Sequence, residues 1–308
     1  MVHSELMTHR DKTRNGRSSR AVPVVTLMEE ARNPYVPHFM KNQPGMSASE
    51  EFSPEEFAEI ETIWRNLAEH TRLEVMRMQQ LNLHKQWANR PLEWFGYIDV
   101  LVSATAWSNF LALRTDASAQ PEMQDVATVI TELLDASKPT ELREGQWHTP
   151  YIDRERDDPL ILDFLRDEWT NTYGLDSNPY VGGKVEDIAG DDEQGGLHIR
   201  RKLSTARCAR LSYKPFDGKA DIASEVERHD RLVVSRPVHA SPAEHIATPD
   251  RIVQSGTAVR DGQWVDEKAW ETPMLHGNFT GWNQYRKLLP YEAVMEDFNP
   301  NTLVRRQG

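Results

Sequence analysis

The feature that most limits what this chain can become is the long amphipathic run that begins at Ser53. Ser53 and Glu56 have the spacing of a capping box, Pro54 falls at the first helical position, and Phe52 and Phe57 are placed to staple across the cap. Phe57, Ile60, Trp64, Leu67, Thr71, Val75 and Met78 then recur at three-to-four spacing, which predicts one helix to about Leu81 with a single buried face. Such a helix is scaffold, and other elements must pack along it. From Leu92 to Leu113 the chain is apolar on all sides (Trp94, Phe95, Ile98, Val100, Leu101, Val102, Trp107, Phe110, Leu111), which reads as a central helix enclosed by neighbours. A third helix should open near Pro121, with Val126, Val129, Ile130, Leu133 and Leu134 on its inner face.

Residues from about 140 to 200 change character. Pro, Gly and Asp accumulate, and Gly182-Gly183 and Gly195-Gly196 bracket an acidic run, so loops with a hairpin are expected there. A strand-like run leads into Ala209-Arg210-Leu211-Ser212-Tyr213, and a helix follows from about Ala220 to Val234, ending before Pro237. Thr248 to Thr272 reads as an insertion rich in charge and turns, and the last helix covers Trp282 to Leu289. The fold class is therefore mixed α/β (α+β). The expected organisation is one domain over residues 1–308, with loop-rich insertions at about 140–200 and 248–272.

A net charge of -12 argues against binding to a nucleic-acid polymer, which draws its affinity from basic side chains displacing counterions. Nucleotides remain compatible with it. A single cysteine, Cys208, excludes an internal disulfide and a multi-cysteine metal cluster, as in a reducing compartment. Its expected role is a small buried side chain, not a catalytic thiol. The spacing of His239, Glu244 and His245 fits no common zinc pattern, so no metal is expected. No apolar run approaches the ~18 residues of a membrane span, and no signal-type stretch opens the chain. A soluble, cytoplasmic protein is expected.

Against this acidic background, Arg10, Lys12, Arg14, Arg17 and Arg20 form a basic island interleaved with Thr13, Ser18 and Ser19. Guanidinium groups and hydroxyls at this density suit a phosphate-bearing small molecule through charge-assisted, paired contacts. A solvated basic arm accounts for the composition equally well. His70, His84 and His229, on or beside helices, read as surface or satisfied histidines, and Trp94 and Trp107 as core.

Three segments together resemble the flavin-dependent thymidylate synthases, the ThyX type. Thr8-His9-Arg10 with Ser18 is similar to that family's R-H-R-x7-S signature, and Asn15, Ser18 and Arg20 match the residues that follow it. Asn109-Phe110-Leu111-Ala112-Leu113-Arg114 with Ala119-Gln120-Pro121-Glu122 resembles the family's N-F-L-x-L-R and A-Q-W-E run. Ala209 to Tyr213, with His239-Ala240-Ser241-Pro242-Ala243-Glu244-His245, resembles A-R-V-S-[FY] and H-x-[ST]-P-F-E-H. The last two elements precede the R-H-R motif in the usual members and follow it here, so the chain looks like a circularly permuted, long phage-like relative. The similarity covers about half the chain and leaves out residues 140–200 and the insertion after His245.

The resemblance implies a fold of long central helices with a small sheet, a homotetramer, and residence in the host cytoplasm if the gene is a phage's. It implies transfer of a one-carbon unit from 5,10-methylene-tetrahydrofolate to carbon 5 of dUMP, with FAD and NADPH as redox cofactors. Arg10, Ser18 and His9 would take the catalytic positions, and Arg10, Ser18, Arg20, Glu5 and Gln124 would hold the nucleotide. His9, Arg114, Ser212, His239, Ser241 and Glu244 would contact the flavin. Thr8 stands where the family has arginine, Gly16 where it has glutamate, Glu5 where it has glutamine, and Gln124 where many members have a base-contacting arginine. Those departures leave open a 5-hydroxymethyl-pyrimidine product and a catalytically inactive nucleotide-binding relative. Asn42-Gln43-Pro44-Gly45 is a candidate lid over the folate.

Overall fold

The computed structural model describes residues 6, 8–45, 48–173, 195–211, 220–234, 238–290 and 292. Its contacts divide the chain into two compact units, residues 1–140 with 211–217 and residues 141–210 with 218–308.

In the first unit, β1 (Thr13–Gly16) pairs antiparallel with β2 (Val100–Ser103), matching Arg14 to Val102 and Gly16 to Val100. The helices are α1 (Val24–Glu30), α2 (Pro54–Gln80), α3 (Lys85–Ala88), α4 (Ser108–Arg114) and α5 (Pro121–Ala136). The expected capping box is present on α2: Glu56 N donates to Ser53 Oγ at 3.2 Å, and Ser53 N donates to Glu56 Oε2 at 2.8 Å. From Trp64 the inward line runs through Ala68, Thr71, Val75 and Met78, so Ala68 takes the place expected of Leu67, which is half exposed. The line steps four, three, four and three, as a 3.6-residue period requires, and bulk alone had pointed one position off it.

The single helix expected over Leu92 to Leu113 is instead three elements: a 3-10 turn at Arg90–Trp94, β2, and α4. Pro91 and Gly96 interrupt any helical run, and the β-branched Val100 and Val102 favour extended backbone. Trp94, expected in the core, is 69% exposed. On α5 the buried positions are Glu122, Met123 and Ala127, with Ile130 packed beside them, while Val129, Leu133 and Leu134 face outward. Two cores result. Val22, Leu27, Ala31, Ala68, Val75, Ala88, Leu92 and Phe95 form one. Leu6, Phe110, Met123 and Ala127 form the other, with Val102, Trp107 and Leu111 against it.

In the second unit, α6 (Arg154–Tyr173) and α7 (Gly196–Arg210) lie where loops and a hairpin were expected, and Arg210 ends a helix, not a strand. Pro159 sits inside α6, where its usual reading as a helix breaker misleads. α7 escaped a hydropathy reading for a different reason: Arg200, Arg201, Ser204 and Thr205 are buried beside Ile199, Leu203 and Ala206, so its buried face mixes polar and apolar side chains. α8 (Ile222–Val233) is capped by Asp221, whose Oδ1 accepts from Ser224 N at 2.9 Å. Ile161, Leu162, Leu165, Ile199, Leu203 and Ile222 form the core between these helices.

β3 (Ala247–Pro249) pairs with β6 (Trp282–Gln284), and the last helix, α9 (Tyr285–Leu288), is one turn preceded by that strand. The charged insertion is a hairpin of β4 (Ile252–Arg260) and β5 (Gln263–Trp270). Its two turn residues, Asp261 at φ 50° and Gly262 at φ 77°, give the doubly left-handed turn that matches strand twist. Gly281 adopts φ +85°, and a Cβ there would lie 2.8 Å from the Trp270 ring. Helices with small antiparallel sheets make the fold α+β. Among the described residues no helix is long and apolar enough to cross a membrane.

Candidate functional site

The β1–β2 pair fixes the basic island, and Arg17 N extends it by donating to Asp99 O at 2.8 Å. Its five cations divide into two groups. Lys12 is buried: Nζ donates to Ala106 O at 3.1 Å, pairs with Asp11 at 3.0 Å, and lies 5.0 Å from the rings of Trp107 and Phe110. Arg14 turns back onto the carbonyls of Leu6 and His9, the latter at 3.3 Å. Arg17 pairs with Glu30 at 3.0 Å and Asp99 at 3.5 Å. Arg10, Arg20 and Ser18 are exposed, and among the described residues their side chains have no hydrogen-bond or ion-pair partner.

α4 delivers Arg114 to His9, so two segments remote in sequence meet. Arg114 Nε donates to His9 Nε2 at 3.1 Å, and Nη2 reaches Thr8 Oγ1 at 3.4 Å. A guanidinium cannot accept, so His9 Nε2 must, which leaves the imidazole neutral with its proton on Nδ1. The electrostatics agree: burial first, then the charges of Arg114, Lys12 and Arg14 against the opposing Asp11, lowers the His9 pKa. The ring stands edge-on to Phe110 at 4.9 Å. Gln124, expected at the nucleotide, donates to the carbonyls of Thr115 at 3.0 Å and Asp116 at 3.2 Å and so closes the end of α4. Glu122 is buried, accepting from His38 N at 2.9 Å and Gln120 Nε2 at 2.8 Å. Glu5 lies outside the described residues.

The remaining candidates belong to the second unit. His239 and Ser241 are exposed at the approach to a 3-10 turn, Ser241–His245, with His239 N donating to Leu232 O at 2.7 Å. The Glu244 carboxylate receives Arg286, and Glu244 O accepts from Gln284 Nε2 at 3.0 Å. Ser212 lies outside the described residues. His245 is fully buried, and burial, aided by His148, pushes its pKa down to about 3. Cys208 is also buried, which raises its thiol to about 12 and removes it as a nucleophile at neutral pH.

The sequence reading missed a buried ionic cluster around α7. Arg200 pairs with Asp158 at 2.7 Å and Arg207 with Asp157 at 2.6 Å. Glu225, with none of its side chain exposed, receives Arg210, Arg228 at 3.6 Å and Arg207 at 3.8 Å. Burial pushes the Asp157 carboxyl up, but hydrogen bonds from Arg156, Arg207 and the Asp153 backbone outweigh it and hold it at about 2. His229 is pushed down to about 4 by burial, against the hydrogen bond it makes to Asp230 at 2.8 Å. The available signal was the density of Arg in a segment otherwise short of apolar residues. No group of three or more metal-ligating side chains occurs among the described residues.

Comparisons with protein families, curated proteins and solved structures returned no match.

Proposed function

We propose that this chain is a flavin-dependent thymidylate synthase of permuted, long phage-like form, converting dUMP to dTMP with FAD, NADPH and 5,10-methylene-tetrahydrofolate. The observation that carries this reading is the division of the basic island. The three cations outside the resemblance (Lys12, Arg14 and Arg17) are bound internally, whereas Arg10, Ser18 and Arg20, which match it, keep their donors for a ligand. The Arg114–His9 contact adds support, since it joins two of the three resembling segments. A ThyX-like fold and a homotetramer belong to the same proposal.

Exposed His239 and Ser241 can donate to the phosphates or ribose of the flavin, and Arg286 holds the Glu244 carboxylate in one place. When bound, the flavin supplies the hydride and the one-carbon relay that no side chain can supply. The chain's own tasks are positional. Arg10 and Arg20 grip a phosphate in bidentate fashion, and the Ser18 hydroxyl fixes its rotation. Neutral His9, with Nε2 occupied by Arg114, presents only its Nδ1–H to a bound ring. Charge developing on the pyrimidine would be met by guanidinium groups of this segment.

One observation favours a second reading. The Gln124 amide donates to two backbone carbonyls where a base-contacting arginine stands in many family members, so base recognition differs from theirs. A 5-hydroxymethyl-pyrimidine product follows if the pocket admits a different base or intermediate fate.

The test is direct. Purified protein should be yellow, and its flavin-dependent oxidation of NADPH should respond to dUMP. Mass spectrometry of the nucleotide product separates methyl from hydroxymethyl. Colourless protein, with no nucleotide-dependent redox activity after loading with FAD, removes both readings and leaves a binding protein.

A further inference from the structure

Arg201 on α7 is 8% exposed, and its Nε is buried without a partner. The guanidinium lies 4.8 Å from the Trp147 ring and 5.3 Å from the Tyr285 ring. Among the described residues its side chain makes no hydrogen bond and no ion pair. Among the described residues, the carboxylates paired in this part of the unit are already engaged: Asp158 by Arg200, Asp157 by Arg207, Glu225 by Arg210, and Asp230 by Lys202 at 3.0 Å. With Arg154, Arg156 and Arg228, seven cations among the described residues share these four carboxylates, and Arg201 pairs with none. His229 and His245 bring no anion, so the excess positive charge stays inside a protein whose overall charge is strongly negative.

A guanidinium does not lose its proton to relieve such a situation. Aromatic faces attract its charge, yet they leave its in-plane N–H fork unmatched. Buried charge without a counter-ion is costly, and in folded proteins it is almost always paired. We propose that Arg201, flanked by Trp147 and Tyr285, is a binding site for a small oxyanion, a phosphate or carboxylate group taken bidentately by the guanidinium. None of the residues assigned to the nucleotide or flavin above takes part, so this inference stands apart from the thymidylate synthase reading.

The experiment uses the full-length protein in low-salt buffer free of phosphate. Thermal unfolding and tryptophan fluorescence are followed during titration with sodium phosphate, sodium acetate or sodium chloride at matched ionic strength. A saturable stabilisation by phosphate, by acetate, or by both, beyond that given by chloride, is expected; which one acts tells a phosphate ester from a carboxylate ligand. Arg201→Gln should weaken the response at least about tenfold, the loss of one charge-assisted pair. Arg201→Lys should fall between, because it keeps the charge and loses the fork. Trp147→Phe should retain binding and lose the fluorescence change. Wild-type protein responding to phosphate and acetate no more than to chloride overturns the proposal without reference to any variant. So does a folded Arg201→Gln that responds as the wild type does.

Discussion

Mild acid should weaken the second unit well above the range in which carboxylates titrate. His229 and His245 are 2% and 0% exposed, and burial lowers them to about 4 and about 3 from the ordinary 6.5. Both are bases held neutral in the folded state, so the unfolded chain binds more protons at every pH between those values and 6.5. Stability is therefore complete above pH 6.5 and is lost as pH falls through the unfolded value, by about 1.4 kcal/mol per pH unit for each histidine. Between pH 7 and pH 5 that amounts to about 2 kcal/mol each, or about 4 kcal/mol together, a large part of the 5–15 kcal/mol typical of a domain. Urea unfolding followed by circular dichroism at half-unit pH steps reads the slope. His245→Gln should be less stable than wild type at pH 7 and show a shallower pH dependence than wild type, and His229→Gln should do the same; His148, also lowered by burial, keeps part of the slope in both. Asp157, held at about 2, contributes only at lower pH and does not enter this window. A stability that stays flat from pH 7 to pH 5, or single variants that keep the full slope, would refute the reasoning.

Arg10→Ala and Ser18→Ala should abolish nucleotide-dependent turnover and change unfolding free energy by less than about 0.5 kcal/mol, because neither exposed side chain has a partner among the described residues. Arg17→Ala should instead cost about 1–3 kcal/mol in chemical denaturation, since it strips Glu30 and the Tyr97 carbonyl of a charged donor. Glu225→Gln leaves Arg207, Arg210 and Arg228 facing one another without their shared carboxylate and should lower stability by about 3–5 kcal/mol; an unaltered denaturation midpoint would contradict the cluster's role. Gly281→Ala combines a left-handed backbone with a clash against Trp270 and should lower the melting temperature by several degrees, about 1–3 kcal/mol.

What the sequence revealed depended on where each signal was stored. Local signals were legible: the Ser53 capping box and Pro121 mark helix starts, and α8 begins one residue past its Asp221 cap. Faces were harder, because Ala68, Met123 and Ala127 pack inward while bulkier Leu67 and Leu133 point out, and size is a weaker guide than the 3.6 period. α7 was illegible to a hydropathy argument, since it buries arginines beside its apolar residues, and Arg200 and Arg207 are neutralised by partners far along the chain. Asp261-Gly262 is a hairpin signal set inside a charged stretch that reads as loop by composition. For the candidate site, the motif residues were visible as types and spacings. Their division into tethered and free cations was not, because it depends on carbonyls at Leu6 and Ala106 and a carboxylate at Glu30 that no local pattern connects to them.

That division has a consequence for how tightly the N-terminal segment can hold a ligand. Each unengaged side chain is flanked by anchored ones: Arg10 follows His9, which Arg114 holds, Ser18 follows Arg17, and Arg20 follows Ser19, whose hydroxyl donates to Glu93. The backbone that presents the donors is thus tethered in advance, and docking of the proposed ligand would restrict little more than three side chains. An otherwise identical but floppy arm would surrender several kcal/mol of affinity to ordering itself.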